Sequence, residues 1–151
     1  MPNITPFIMF NDQAEEAMEL YTAIFPNSRI VSKIPGPGGK VMGGTFELDG
    51  KRFNCYNAGP HPNFEFSQGI SFMIDVDTQN EVDHYYDKLS EGGEQQPCGW
   101  LADKFGVSWQ VTPKVLMKAL SNPKTAGPAM EAMFKMQKII IADIEAAIAD
   151  K

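Results

Sequence analysis

The sequence has little of what usually announces chemistry. Two cysteines and two histidines in 151 residues are too few for a disulfide framework or a zinc spacing. Cys55 and Cys98 fall in separate expected strands and are expected to be buried free thiols. Basic clusters are missing as well. The 13 lysines and arginines lie singly among 19 acidic residues, for a net charge of −6, so nothing resembles a stripe that neutralises phosphates. A nucleic-acid partner is not expected. Apolar runs such as Ile139–Ala142 fall far short of the roughly 20 residues that cross a bilayer, and Met1-Pro2-Asn3-Ile4 has no basic leader segment. The expectation is a cytoplasmic protein with no membrane partner.

What is present is an ordinary globular composition, 43% hydrophobic and 21% charged, in a length that suits one domain, here 1–151. Ile4–Phe10 reads as a strand, followed by Asn11-Asp12 as an N-cap. Ala14, Ala17, Met18, Tyr21 and Phe25 then recur at helical spacing. Three strands follow, 29–34, 41–48 and 52–57. Asp49-Gly50 joins the last two as a hairpin turn, because both positions tolerate positive φ. The pattern then begins again. Ile70–Asp77 reads as a strand, and Thr78 caps a helix whose stripe is Val82, Tyr85, Tyr86 and Leu89. Gly92-Gly93 stops that helix. Short strands at 94–96 and 99–102 and a longer one at 107–112 complete the second unit. Thr112-Pro113 opens a further helix, and the run from Ala129 to Ala149 supplies one or two more.

The fold class is therefore α+β. Two βαβββ units, 1–60 and 68–112, repeat with a period of about 65 residues, and a helical extension occupies 113–151. The two units are expected to form a cup-shaped sheet.

This doubled order, the segment Asn11-Asp12-Gln13-Ala14-Glu15-Glu16-Ala17 with Tyr21 and Phe25, and above all Trp100–Gln110 resemble the PhnB-like branch of the vicinal oxygen chelate superfamily. That branch is also labelled 3-demethylubiquinone 3-methyltransferase-like. The likeness extends into the tail, 133–147. Superfamily members such as glyoxalase I, fosfomycin-resistance proteins and extradiol dioxygenases hold a divalent metal through His and Glu on the first and last strands of each unit. Here those places correspond to Thr5, Phe53, Ser71 and Gln110, none of them a strong ligand for a hard or borderline dication. The resemblance thus implies no metal, and no cofactor is expected. The label's S-adenosylmethionine-dependent methyl transfer would need a glycine-rich turn from strand to helix, and none is present.

Strand alternation extends the set. If those four residues face the cup, so do Phe7, Met9, Cys55, Asn57, Met73, Ser108 and Thr112, with Trp100 at the rim where a ligand can stack. Ile8, Phe10, Ile70, Phe72, Ile74, Val107, Trp109 and Val111 then face the helices. A lining of Met, Phe, Cys and a few neutral polar groups suits a small-molecule site. The leading expectation is a metal-independent small-molecule binder or enzyme. The alternative is a non-catalytic dimeric module that sequesters a metabolite or mediates interaction.

Other features read as structural. His61 is expected in an exposed linker, and His84 half-buried on the second helix. Asp103-Lys104-Phe105-Gly106 has the grammar of a turn, with Asp bonding its own backbone. Pro35–Lys40 lacks the Ser or Thr of a phosphate loop and runs into a strand. The isoleucines and methionines of the tail crowd more than one helical face, so a homodimer is expected.

Overall fold

The computed structural model describes residues 2–150, and the chain divides between Glu65 and Phe66 into two compact units. Unit 1 contains β1 (Phe7–Phe10), α1 (Ala14–Ile24), β2 (Arg29–Pro35), β3 (Val41–Leu48) and β4 (Lys51–Asn57). Its sheet runs β1-β4-β3-β2, with β1 parallel to β4 and the other neighbours antiparallel.

β1 is shorter than the sequence suggests, because Pro6 has no N–H to donate to a ladder. The Pro6 carbonyl still accepts the Asn54 N–H at 2.9 Å. Asp49 and Gly50 take φ of 49° and 77°, as a two-residue hairpin turn requires, and this registers Leu48 with Lys51 and Phe46 with Phe53. The Pro35–Lys40 segment is a tight 3-10 connection over Pro37–Gly39, closed by the Gly36 N–H on the Lys40 carbonyl at 2.7 Å.

Helix α1 buries Ala14, Ala17, Met18, Tyr21 and Ile24 against Ile8, Phe10, Phe46, Phe53 and Cys55. A Cβ at Gly44 would collide with the Ser32 carbonyl and press on Met18 Sδ, so glycine there lets the helix approach the sheet. Neither Asn11 nor Asp12 caps the helix. The N-cap position is Gln13, which makes no capping bond, and Asn57 on β4 instead accepts the Ala14 N–H at 2.9 Å.

Unit 2 repeats the order with β5 (Phe72–Val76), α2 (Gln79–Ser90), β6 (Glu94–Gln95), β7 (Trp100–Ala102) and β8 (Ser108–Pro113), arranged β5-β8-β7-β6. Here the expected cap is present. Thr78 Oγ accepts the Glu81 N–H at 3.2 Å and the Glu81 carboxylate accepts the Thr78 N–H at 3.1 Å, a capping box. Tyr86 is fully buried, its hydroxyl 3.0 Å from the Gln96 and Trp100 carbonyls. Ile70 lies outside β5 and is 80% exposed, which corrects its expected place under the helices.

Three more helices belong to the same unit, α3 (Lys114–Leu120), α4 (Ala126–Met133) and α5 (Ile141–Ile148). Leu116, Ala119, Ala129, Ile139 and Ile144 form their buried core. The extended stretch before α5 is pinned by the Cys98 and Gly99 N–H groups on the Met136 and Gln137 carbonyls, at 2.9 and 2.7 Å. Gly99 has φ 82°, and a Cβ there would lie 3.0 Å from the Ile139 side chain. Among the described residues no helix is long and apolar enough to cross a membrane.

Candidate functional site

In unit 2 the register brings the expected residues onto one face. Met73 pairs with Gln110, Gln110 with Trp100, and Ser108 with Ala102, so Met73, Trp100, Ser108 and Gln110 lie opposite the face that carries Trp109, Val111 and Leu101. Gln110 Nε2 donates to Ser71 Oγ at 2.9 Å and Ser108 Oγ donates to the Ser67 carbonyl at 3.1 Å. Met73 is half exposed. This face presents one flexible apolar side chain, an indole and an amide–hydroxyl pair.

Unit 1 divides the expected set. Phe7 and Met9 lie on the face away from α1, Phe7 being 56% exposed, while half-buried Thr5 lies just ahead of β1. Phe53, Cys55 and Asn57 do not share that face. The parallel register sets Cys55 beside Ile8 and Asn57 beside Phe10, and neighbours in register point to the same side. Phe53 stacks on Phe46 with ring centroids 5.3 Å apart, and Asn57 holds the start of α1. These three are core residues. Matching strand ends to the superfamily's ligand positions misassigned the parity of β4 by one residue.

The residues on the helix-free face of β4 are Arg52, Asn54 and Tyr56. Asn54 Oδ1 accepts from Thr45 Oγ1 at 2.7 Å. Glu47 accepts from Arg29 Nε at 3.0 Å and from Arg52 Nη2 at 3.1 Å. The hairpin carried the missed signal: a two-residue Asp49-Gly50 turn pairs Phe46 with Phe53, and Phe46 stands between Thr45 and Glu47, which sends Phe53 inward and Arg52 outward. At this end of the sheet a groove of about 620 Å³ is lined by Asn3, Ile4, Thr5, Pro6, Glu47, Gly50, Lys51, Arg52 and Phe53. Thr5 and Phe53, expected together, do meet there.

None of these groups makes a nucleophile–base pair. Burial pushes the Cys55 thiol up to about 11, against a smaller opposing pull from its backbone hydrogen bond with Gly44, so it stays protonated at neutral pH. Cys98 is also free and only partly buried. His61 Nδ1 accepts the Asn63 N–H at 3.1 Å, and His84 is exposed beside Tyr85 rather than half-buried. Asp103, although buried, is committed to structure. Its Oδ1 accepts the Phe105 and Val107 N–H groups at 2.9 and 3.0 Å, and its Oδ2 accepts Trp109 Nε1 at 2.9 Å.

The chain does not fit the metal of the vicinal oxygen chelate pattern. Of the corresponding positions, Ser71 and Gln110 bond each other, Thr5 offers a hydroxyl, and the helix-free face of β4 presents Arg52 and Asn54 in place of Phe53, neither of them a carboxylate or an imidazole. No three or more His, Cys, Asp or Glu groups converge among the described residues. Nor does it carry the glycine-rich strand-to-helix turn expected of a nucleoside-containing methyl donor. The strand-to-helix turns of the two βαβββ units are Asn11-Asp12-Gln13 and Asp77-Thr78, without the glycine that lets such a cofactor approach the backbone.

Comparison with known proteins agrees with the fold. Residues 2–112 match the model of the 3-demethylubiquinone-9 3-methyltransferase family, so the match stops short of the tail. The PhnB protein of Bacillus cereus is 37% identical, over 74% of this chain and 99% of that one, with a TM-score of 0.68. PA1353 of Pseudomonas aeruginosa is 22% identical, over 75% and 98%, with a TM-score of 0.61. The fosfomycin resistance protein FosX of Listeria monocytogenes, solved with Mn(II), is 13% identical over 74% and 91%, with a TM-score of 0.54, a likeness of fold alone. No curated protein matches. With two βαβββ units, a helical extension and these matches, the chain belongs to the 3-demethylubiquinone-9 3-methyltransferase (PhnB) family.

Proposed function

We propose that this PhnB-family protein binds a small organic molecule on the helix-free faces of its sheets, without a divalent metal or a nucleotide cofactor. The observation that carries the reading is the Ser71–Gln110 hydrogen bond. At two places where superfamily relatives carry metal ligands, this chain has a neutral donor–acceptor pair, beside Met73 and Trp100. Such a face recognises a ligand by shape, stacking and one or two hydrogen bonds. With Cys55 protonated and Asp103 bonded to backbone and indole, no activated nucleophile or base supports a particular reaction. Binding is therefore the function the geometry supports best, with catalysis open to whatever chemistry the ligand brings.

Two free thiols support a reducing, cytoplasmic location. Met117, Met130 and Phe134, exposed by 41, 42 and 63% on the helical extension, support a homodimer.

Native mass spectrometry of the freshly purified chain, with elemental analysis, tests the reading. A retained organic molecule, lost when Gln110→Leu and Trp100→Ala are combined, is the expected result, with divalent metal well below one per chain. Stoichiometric zinc, nickel, manganese or iron after dialysis would overturn it. So would the absence of any saturable ligand on either sheet in an NMR fragment screen.

A further inference from the structure

We propose that the groove ahead of β1 in unit 1 takes a small organic carboxylate, with its anionic head on Arg52. This rests on the small-molecule reading above and adds the chemical class of the ligand. The groove's volume of about 620 Å³ lies within the range of small-molecule sites. Ile4, Pro6 and Phe53 give it an apolar wall, and Lys51, Arg52 and Glu47 give it charge.

The balance of that charge is positive, although the chain as a whole carries −6. Glu47 does not cancel Arg52, because Arg29 shares it from outside the groove. Arg29 Nε reaches Oε1 at 3.0 Å and Arg52 Nη2 reaches Oε2 at 3.1 Å. Hydrogen bonds from Arg52 first and Arg29 second hold the Glu47 carboxyl below its usual range. The trio therefore keeps one net positive charge, and Lys51 adds a second.

A guanidinium presents five N–H donors in a planar fork. Arg52 reaches Glu47 through one of its terminal nitrogens, which leaves donors on the same fork for a second carboxylate. A planar, two-oxygen anion matches that edge. The apolar wall then covers the ligand's hydrocarbon body, while Glu47 competes with the ligand for the Arg52 fork.

Benzoate and its neutral amide, benzamide, test the assignment by NMR titration of the whole chain at low salt. Benzoate is expected to shift residues around Thr5 and Arg52 saturably, with benzamide at least about tenfold weaker, the usual effect of losing one charge-assisted hydrogen bond. Arg52→Gln should weaken benzoate by a similar factor and Arg29→Gln by less, because Glu47 then turns wholly to Arg52. Lys33→Gln, whose lysine pairs with Glu15 on the helix face, should leave it unchanged. Glu47→Gln should tighten benzoate, a gain that a folding defect cannot mimic. Equal binding of benzamide and benzoate, or an unaffected Arg52→Gln variant with a wild-type melting temperature, would overturn the carboxylate assignment while leaving small-molecule binding intact. Failure of benzoate to shift these residues at 10-fold excess over millimolar protein would overturn it too, whatever ligand native mass spectrometry finds elsewhere.

Discussion

Gln79 holds the main chain around Ile139 with both ends of its amide. Its Nε2 donates to the Ile139 carbonyl at 3.0 Å, and its Oε1 accepts the Ile141 N–H at 2.8 Å. Ile139 itself is fully buried. The first residue of α2 thus fixes the stretch from which α5 starts, and Lys138 adds ion pairs to Asp83 and Asp87 at 3.1 and 2.9 Å. Replacing Gln79 with leucine removes both bonds and leaves two partly buried backbone groups unpaired. The expected loss is about 2 kcal/mol, read as a lower midpoint in urea with an unchanged slope.

The helical extension is part of the core of unit 2. Removing residues 128–151 uncovers Leu116 and Ala119 and deletes Ala129, Ile139 and Ile144. The truncated chain is expected to aggregate or to lose cooperative unfolding. A sharp transition at the original temperature, followed by calorimetry, would show that the extension carries no stability.

Asp103 and Trp109 form a second lock, which ties the Asp103–Gly106 turn to β8. Asp103→Ala leaves two backbone N–H groups and the indole N–H without their acceptor, in surroundings where Asp103 is only 2% exposed. A loss of about 3 kcal/mol or more is expected. A red shift of tryptophan emission should accompany it, since water then reaches Trp109. Asp103→Asn keeps one acceptor oxygen and should cost less.

The two thiols should behave differently. At pH 8 iodoacetamide is expected to modify partly exposed Cys98 in the folded chain and Cys55 only after unfolding, as peptide mass mapping can show. Burial raises the Cys55 pKa from 9.0 to about 11, so between these values the unfolded chain releases a proton that the folded chain keeps. Stability tied to this thiol is complete below pH 9 and declines as pH rises toward 11, by on the order of 2 kcal/mol in all. A Cys55→Ala variant should lack that decline, although it also loses packing.

The proposed homodimer is checked by light scattering coupled to size-exclusion chromatography. A mass near twice 16.7 kDa is expected at low micromolar concentration. Phe134→Glu, placed on an exposed apolar side chain, should move the equilibrium toward the monomer if the helical extension forms the contact.

The sequence by itself determined the element order, because that information is local. Helical spacing in 14–24 and 79–90, the Asp49-Gly50 turn and the Thr78 cap depend on neighbours within a few residues, and each is present where the pattern puts it. The Asp103 turn was equally legible, from one Asx residue and one glycine. Tertiary structure alone decided which face each strand shows. A slip of one residue inverts every side chain of a strand, and β4, where Arg52, Asn54 and Tyr56 alternate with Phe53, Cys55 and Asn57, has polar and apolar groups on both parities. Its register with β1 and β3 sent Phe53, Cys55 and Asn57 inward. The same pairing made Asn57 the partner of Ala14 across 43 residues, a cap that no local motif announces. It also assembled the groove, since Thr5, Glu47 and Arg52 come from three separate segments whose meeting depends on the sheet and on nothing in their own neighbourhoods.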